Sequence, residues 1–200
     1  MSDKLYEIYV DYQDGFVEII KPASEQLKNY FAELKVDLQN DFRTEINLDS
    51  TLWLKEIAES LQSGFVMTID YGYTSRELYS NLRKNGTLMC YHKHQTNHDP
   101  YINIGHQDIT SHINFSALCH FGWKNGLACC GLTDQASFLL SLGYKDHYLP
   151  QVRNGDGLAE AAKKEALLSR TLLFDIGMKF KVLEQRKGIQ DCELSGLKVA

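Results

Sequence analysis

The stretch Gly64-Phe65-Val66-Met67-Thr68-Ile69-Asp70-Tyr71-Gly72-Tyr73 decides the fold of this chain. Its apolar run from Phe65 is continuous rather than alternating, and it ends in an acid followed by Tyr71 and Gly72. A run of that kind fits a strand buried on both faces of a parallel sheet. Just upstream, Asp49 or Ser50 stands where a helix cap belongs. Leu54, Ile57, Ala58 and Leu61 follow at helical spacing, and Gly64 is placed as the residue that closes the helix. Downstream, the pattern predicts a helix over 75–84, a turn at Asn85-Gly86 and a second apolar strand from Thr87 to Tyr91. Helices alternating with strands on this scale indicate an α/β sheet.

Working outward toward the start, residues 5–12 and 16–20 are β-rich and flank Asp14-Gly15, a hairpin signal. Ser24 is placed to cap a helix carrying Leu27, Tyr30, Phe31 and Leu34, and residues 35–46 show no clear pattern. Toward the end, residues 92–108 are polar, His-rich and contain Pro100, which reads as a long loop. Residues 109–115 read as short extended structure. Ser116 caps a predicted helix to Asn125, closed by Gly126, and 127–132 reads as a strand. Thr133 caps a helix carrying Phe138, Leu139 and Leu142, closed by Gly143. A loop over 144–157, a helix over 158–173 and a strand over 180–185 complete the pattern, with a polar turn at 186–188. Phe115, Phe121, Trp123, Phe138 and Leu139 are the expected core. The chain divides into a β-hairpin plus helical insertion (1–46) and an α/β portion (47–200), read together as a single domain.

The bulk composition is that of a globular chain of 200 residues, 44% hydrophobic and 24% charged. A net charge of −5 disfavours nucleic acid as the main partner, because phosphate binding needs a basic surface. No apolar run reaches the ~18 residues of a membrane span, and the first residues lack the apolar core of a secretory signal. A cytoplasmic protein without a membrane association is therefore expected. The 5 cysteines, at 90, 119, 129, 130 and 192, include no CxxC pair, which argues against a zinc site or disulfide framework. Cys90, Cys129 and Cys130 read as small buried hydrophobes. Lys163-Lys164-Glu165 and Arg186-Lys187 read as solvated faces.

Several ordered blocks carry a resemblance. They are Glu45 to Leu54, Gly64 to Tyr73, Gly86 to Tyr91 with His92 and His94, and Gly105 to Phe115. Gln135 with Phe138-Leu139, and Phe180 to Leu183, also fit. Together they resemble the MidA family over nearly the whole chain. The resemblance implies a class I, S-adenosylmethionine-dependent methyltransferase fold, Rossmann-like and here incomplete. Its mitochondrial relative is a protein-arginine methyltransferase that assists complex I assembly.

One departure accompanies the match. Family members begin with a portion carrying a Gly-rich loop after the first strand and, shortly beyond it, an acid for the ribose. Neither is in this sequence. The nearest glycine cluster, Gly155-Asp156-Gly157, follows a polar loop rather than a strand. Glycine is needed there because only it lets backbone approach the ligand closely. The expectation is a carboxy-terminal, acceptor-side portion that begins after the donor loop and does not hold S-adenosylmethionine by itself.

Candidate site residues follow from position and chemistry. Asp70 sits at the carboxyl end of a predicted central strand, where open α/β sheets bind ligands. It is suited to accept from a guanidinium; Tyr71 to stack on a planar cation; Gly72 to permit a tight turn or close ligand approach. The alternative for all three is a plain strand-to-loop turn. His92, His94 and His98 form an HxHxxxH pattern that matches no zinc signature, and no metal is assigned. His92 and His94 are expected at the substrate pocket or in a solvated loop, since that loop is predicted to overhang the same sheet edge. Asp108 and His112 are candidate proton acceptors, and Thr110 a substrate contact, because methyl transfer to arginine needs its nitrogen positioned and its charge managed. The bland reading of Asp108 and Thr110 is turn and cap chemistry.

Three functions remain open from sequence: a portion of a protein-arginine methyltransferase acting on a protein substrate, a non-catalytic binding module derived from one, or one half of a split enzyme. Each leaves an unpaired sheet edge or apolar face, so association with a second copy or with a missing amino-terminal half is expected.

Overall fold

The computed structural model describes residues 5–148, 157–190 and 193–198. The chain forms two compact units, Met1–Asp49 with Thr74–His112, and Ser50–Tyr73 with Ile113–Ala200. Cys192, Gly155 and Asp156 lie outside the described residues.

In the first unit, β1 (Tyr6–Tyr12) and β2 (Phe16–Pro22) pair antiparallel, and Asp14 turns the chain at φ 54°. The hairpin lies where Asp14-Gly15 places it. Helix α1 (Glu25–Leu34) starts at Ser24, whose hydroxyl accepts from the Leu27 amide at 3.4 Å. Its inner face buries Tyr30 and Phe31, and Phe31 meets the Tyr79 ring edge-on at 5.6 Å.

The unpatterned segment 35–46 is an anchor. Arg43 binds Glu18 through two nitrogens at 2.9 and 2.6 Å, and the Tyr101 hydroxyl donates to the same carboxylate at 2.9 Å. Glu45 accepts from the Thr87 amide at 2.9 Å, the Thr87 hydroxyl at 3.1 Å and the Leu88 amide at 3.3 Å.

The helix expected over 75–84 is cut short. Helix α2 (Ser75–Leu78) begins with a Thr74/Glu77 capping box and gives way to a 3₁₀ turn at Asn81–Arg83. The Ser80 hydroxyl and Arg83 guanidinium both take the Glu77 carbonyl, at 2.7 and 2.8 Å, in place of a continuing helix.

The second strand of the α/β reading is corrected. Strand β3 (Met89–His92) belongs to a separate antiparallel sheet, flanked by β4 (Gln95–Asn97) and β5 (Asp108–Thr110). Residues 92–108 are therefore not one loop. Lys93 and His94 adopt φ of 48° and 64°, a tight turn that folds β4 back on β3.

The second unit is built on α3 (Asp49–Ser60), β6 (Gly64–Tyr73), β7 (Ile113–Asn114) and α4 (Phe115–Lys124). It continues with β8 (Ala128–Asp134), α5 (Gln135–Ser141), α6 (Leu158–Ser169) and β9 (Phe180–Lys187). The sheet order is β7-β6-β9-β8. Strand β9 runs antiparallel to both β6 and β8, while β7 is parallel to β6 at Gly72 and Tyr73.

This corrects the reading of the opening stretch. The run is a strand, but it is not buried on both faces. Val66 packs on a core of Leu54, Ala58, Phe115, Leu118, Leu127 and Leu183. Phe65, Met67 and Ile69 point the other way and are 42%, 50% and 45% exposed. Between Gly64 and Asp70 the edge of β6 opposite β9 has no strand partner among the described residues.

Local punctuation also shifts. Helix α3 includes Asp49 and ends at Ser60, and Gly64 opens β6 rather than closing the helix. Lys187, expected on a solvated face, donates to the Ala58 carbonyl near the end of α3, where a cation suits the helix dipole. Asn114 caps α4 and Asp134 caps α5, in place of Ser116 and Thr133, each accepting from the amide three residues on, at 3.2 and 2.8 Å. Trp123, expected in the core, is 69% exposed. No helix among the described residues is long and apolar enough to cross a membrane.

Candidate functional site

The sequence-derived site residues fall in both units. Asp70, Tyr71 and Gly72 end β6 in the second unit. One Asp70 oxygen accepts from the Tyr71 amide at 2.7 Å, and the Tyr71 ring meets Phe180 edge-on at 5.5 Å. Gly72 is buried because β7 crosses it. A Cβ there would stand 2.9 Å from the Phe115 ring and closer still to the Ile113 carbonyl oxygen. The close approach that this glycine permits is to the chain's own backbone.

His92, His94, Asp108, Thr110 and His112 lie in the first unit. The pleat puts Asp108 and Thr110 on one face, opposite Tyr91 and Met89, and His92 on the other with Cys90. His92 Nδ1 lies 2.6 Å from the His106 carbonyl. The Thr110 hydroxyl donates to the Met89 carbonyl at 3.2 Å, and the His112 amide to the Thr87 hydroxyl at 3.0 Å. His94 occupies the exposed turn, and Asp108 is exposed. Thus three of these residues lie in strands of one small sheet, with His94 in the turn between two of its strands and His112 just beyond it. His98 leaves that set: its Nδ1 faces the Leu88 carbonyl at 3.3 Å.

A nucleotide-like donor group is held where glycine leaves backbone open at a strand end, and the four-stranded sheet carries glycines at or near its strands, Gly72, Gly131 and Gly188 among them. Gly72 faces Ile113 and Phe115, Gly131 faces Leu197, and Gly188 faces the Gln62 carbonyl. Each of these approaches is filled by the chain's own atoms, so none of the three glycines presents open backbone at a strand end.

Sequence reasoning missed a cleft of about 570 Å³ in the second unit, lined by Ser116, Cys119, His120, Trp123, Cys129 and Leu132 among others. Cys119 on α4 and Cys129 on β8 bring their sulfurs to 2.9 Å. Cys129 is exposed, contrary to its reading as a buried hydrophobe, whereas Cys90 is fully buried. The Cys119 S–H and the Gly131 amide donate to Cys129 and lower its pKa to about 7. Cys119, which donates its S–H to that sulfur and so holds its own proton, is pushed upward, and burial adds to the shift. The ten-residue separation joins a helix to the next strand, a spacing with no sequence signature of its own.

Glu184 was also missed. It sits on β9 between Met67 and Gly131, only 6% exposed, and burial pushes its carboxyl above the usual range. In Phe180–Gln185 it reads as an ordinary strand residue.

Residues 1–133 match the family described as "Putative S-adenosyl-L-methionine-dependent methyltransferase", and the chain belongs to that family. It is similar to the crystal structure of an uncharacterized protein from Burkholderia thailandensis, with TM-score 0.82 and 30% identity over 96% of this chain and 51% of that one. A second structure from the same superfamily and organism, bound to S-adenosyl-homocysteine, has TM-score 0.83 and 30% identity over 98% of this chain and 50% of that one. The chain thus spans about half the length of these solved structures. No curated protein matches it.

Proposed function

We propose that this chain is the acceptor-side portion of an S-adenosylmethionine-dependent methyltransferase of the MidA type, with an incomplete Rossmann-like sheet, and that the complete enzyme methylates a protein arginine. Membership of the methyltransferase family carries this reading. The S-adenosyl-homocysteine bound to a similar protein supports the donor's identity. In the second unit Asp70 accepts from the guanidinium, with Tyr71 stacking on it beside Gly72. In the first, Asp108 and His112 accept protons, and His92, His94 and Thr110 contact the substrate. The donor is held by a portion outside this chain, in the cytoplasm.

Two measurements test the reading. Calorimetric titration of this chain with S-adenosylmethionine is expected to show no binding; micromolar binding overturns the acceptor-side assignment. With the donor-binding half supplied, radiolabelled methyl transfer to an arginine-containing protein is expected. Asp70→Asn and Asp108→Asn should each lower its rate roughly 100-fold. Wild-type rates in both variants would remove these residues from the chemistry, and no transfer in any version would favour a non-catalytic binding module.

The exposed strip of Phe65, Met67 and Ile69, beside the free edge of β6, receives that other half. Alone, the chain covers the strip with a second copy. Light scattering should report dimers or larger species, and Met67→Lys should restore monomers. A monomeric wild type at high concentration counts against this.

A further inference from the structure

We propose that Cys119 and Cys129 form a reversible disulfide by exchange with a low-molecular-weight disulfide such as oxidised glutathione, Cys129 reacting first and Cys119 resolving. The inference concerns the second unit by itself and does not depend on methyl transfer.

Geometry carries it. The two sulfurs are already in contact at 2.9 Å, within about 1 Å of bonding distance. They come from different elements, α4 and β8, so bond formation staples a helix to the sheet. The register of β8 on β9 is irregular between Cys129 and Gly131, which lets the strand shift locally without disturbing the ladder. Access is open, because Cys129 is exposed and lines the cleft with His120 and Trp123.

The thiols are unequal in the way exchange requires. Donation from Cys119 and from the Gly131 amide favours the Cys129 thiolate, which is the nucleophile. Cys119 keeps its proton while that thiolate is present, and it is less exposed than Cys129. Cys90 is fully buried, and Cys130 is half-buried with its thiol 3.9 Å from the Ala128 carbonyl.

The chemistry balances. The Cys129 thiolate bonds to one sulfur of oxidised glutathione, that S–S bond breaks, and one glutathione leaves as a thiolate and takes up a proton. Cys119 then loses its proton to solvent, and its sulfur bonds to Cys129 Sγ. The second glutathione leaves and is protonated in turn. Two electrons pass from the protein dithiol to the glutathione disulfide, giving one protein disulfide and two reduced glutathiones.

The test is equilibration of the full chain with oxidised glutathione, trapping of free thiols by alkylation, and peptide mass spectrometry. The expected result is a Cys119–Cys129 crosslink in the wild type and in Cys130→Ser. Cys119→Ser should instead retain a glutathione on Cys129, and Cys129→Ser should lose rapid modification of Cys119. The oxidised wild type should melt roughly 5–10 °C above the reduced one, a shift absent from both single variants of the pair. Recovery of both residues as free thiols overturns the proposal, as does a crosslink through Cys130 or Cys90 in place of this one.

Discussion

Phe115→Ala is expected to destabilise the second unit by about 3–5 kcal/mol, the range for emptying a fully buried aromatic site. Phe115 is completely buried at the start of α4, within the cluster of Leu54, Leu118, Leu127 and Leu183. Its ring also fills the space over Gly72. Collapse into the cavity is restricted, because the site is walled by β6 on one side and by α3 on another. Domains of this size have only ~5–15 kcal/mol in total, so the variant should approach the threshold of folding. Urea denaturation followed by circular dichroism measures the loss, and Phe115→Leu, keeping most of the volume, should cost less than half as much. Gly72→Ala, which pushes a methyl group into the Ile113 carbonyl oxygen as well as against the same ring, should cost about 3 kcal/mol or more by overpacking. Combined with Phe115→Leu it should be less than additive, since each change acts on the other's space. A Phe115→Ala loss below ~1 kcal/mol would mean that the ring is not the keystone of this core.

Glu45→Ala should have the largest effect in the first unit, about 2–3 kcal/mol, because one half-buried carboxylate satisfies three donors. Two of those donors are the amides of Thr87 and Leu88, the residues that lead into β3. The third is the Thr87 hydroxyl, which in turn accepts from the His112 amide. Removal leaves polar groups without partners at the entry to the three-stranded sheet. Glu45→Gln keeps one acceptor oxygen and should lose roughly half as much. Hydrogen exchange at the Thr87 and Leu88 amides reads the effect directly. Unchanged protection there would sink the idea that Glu45 holds this segment.

The candidate site was legible in pieces. Asp70-Tyr71-Gly72 could be placed at a strand end because a continuous apolar run and the residues that end it are adjacent in sequence. Asp108 was legible only as the last polar residue of a loop and Thr110 only as part of a short extended stretch, since the strand that carries both is short and pairs with β3 across an intervening segment. The thiol pair could not be read. Nothing local to Cys119 or Cys129 records that a helix and the following strand set their sulfurs in contact.

By itself the sequence determined what depends on neighbours along the chain. The Asp14-Gly15 hairpin, the Ser24 cap and the existence of β6 and β9 follow from periodicity and turn chemistry, which act over a few residues. Tertiary structure alone decided how strands pair and which faces are covered. The run from Phe65 to Asp70 is apolar throughout, yet only one of its faces meets the core, because burial depends on what the rest of the fold brings to each side. The same holds for Glu45 and for the cysteine pair. Their partners lie 42, 43 and 10 residues away, and contacts over such separations are set by the packing of elements, not by the residues between them.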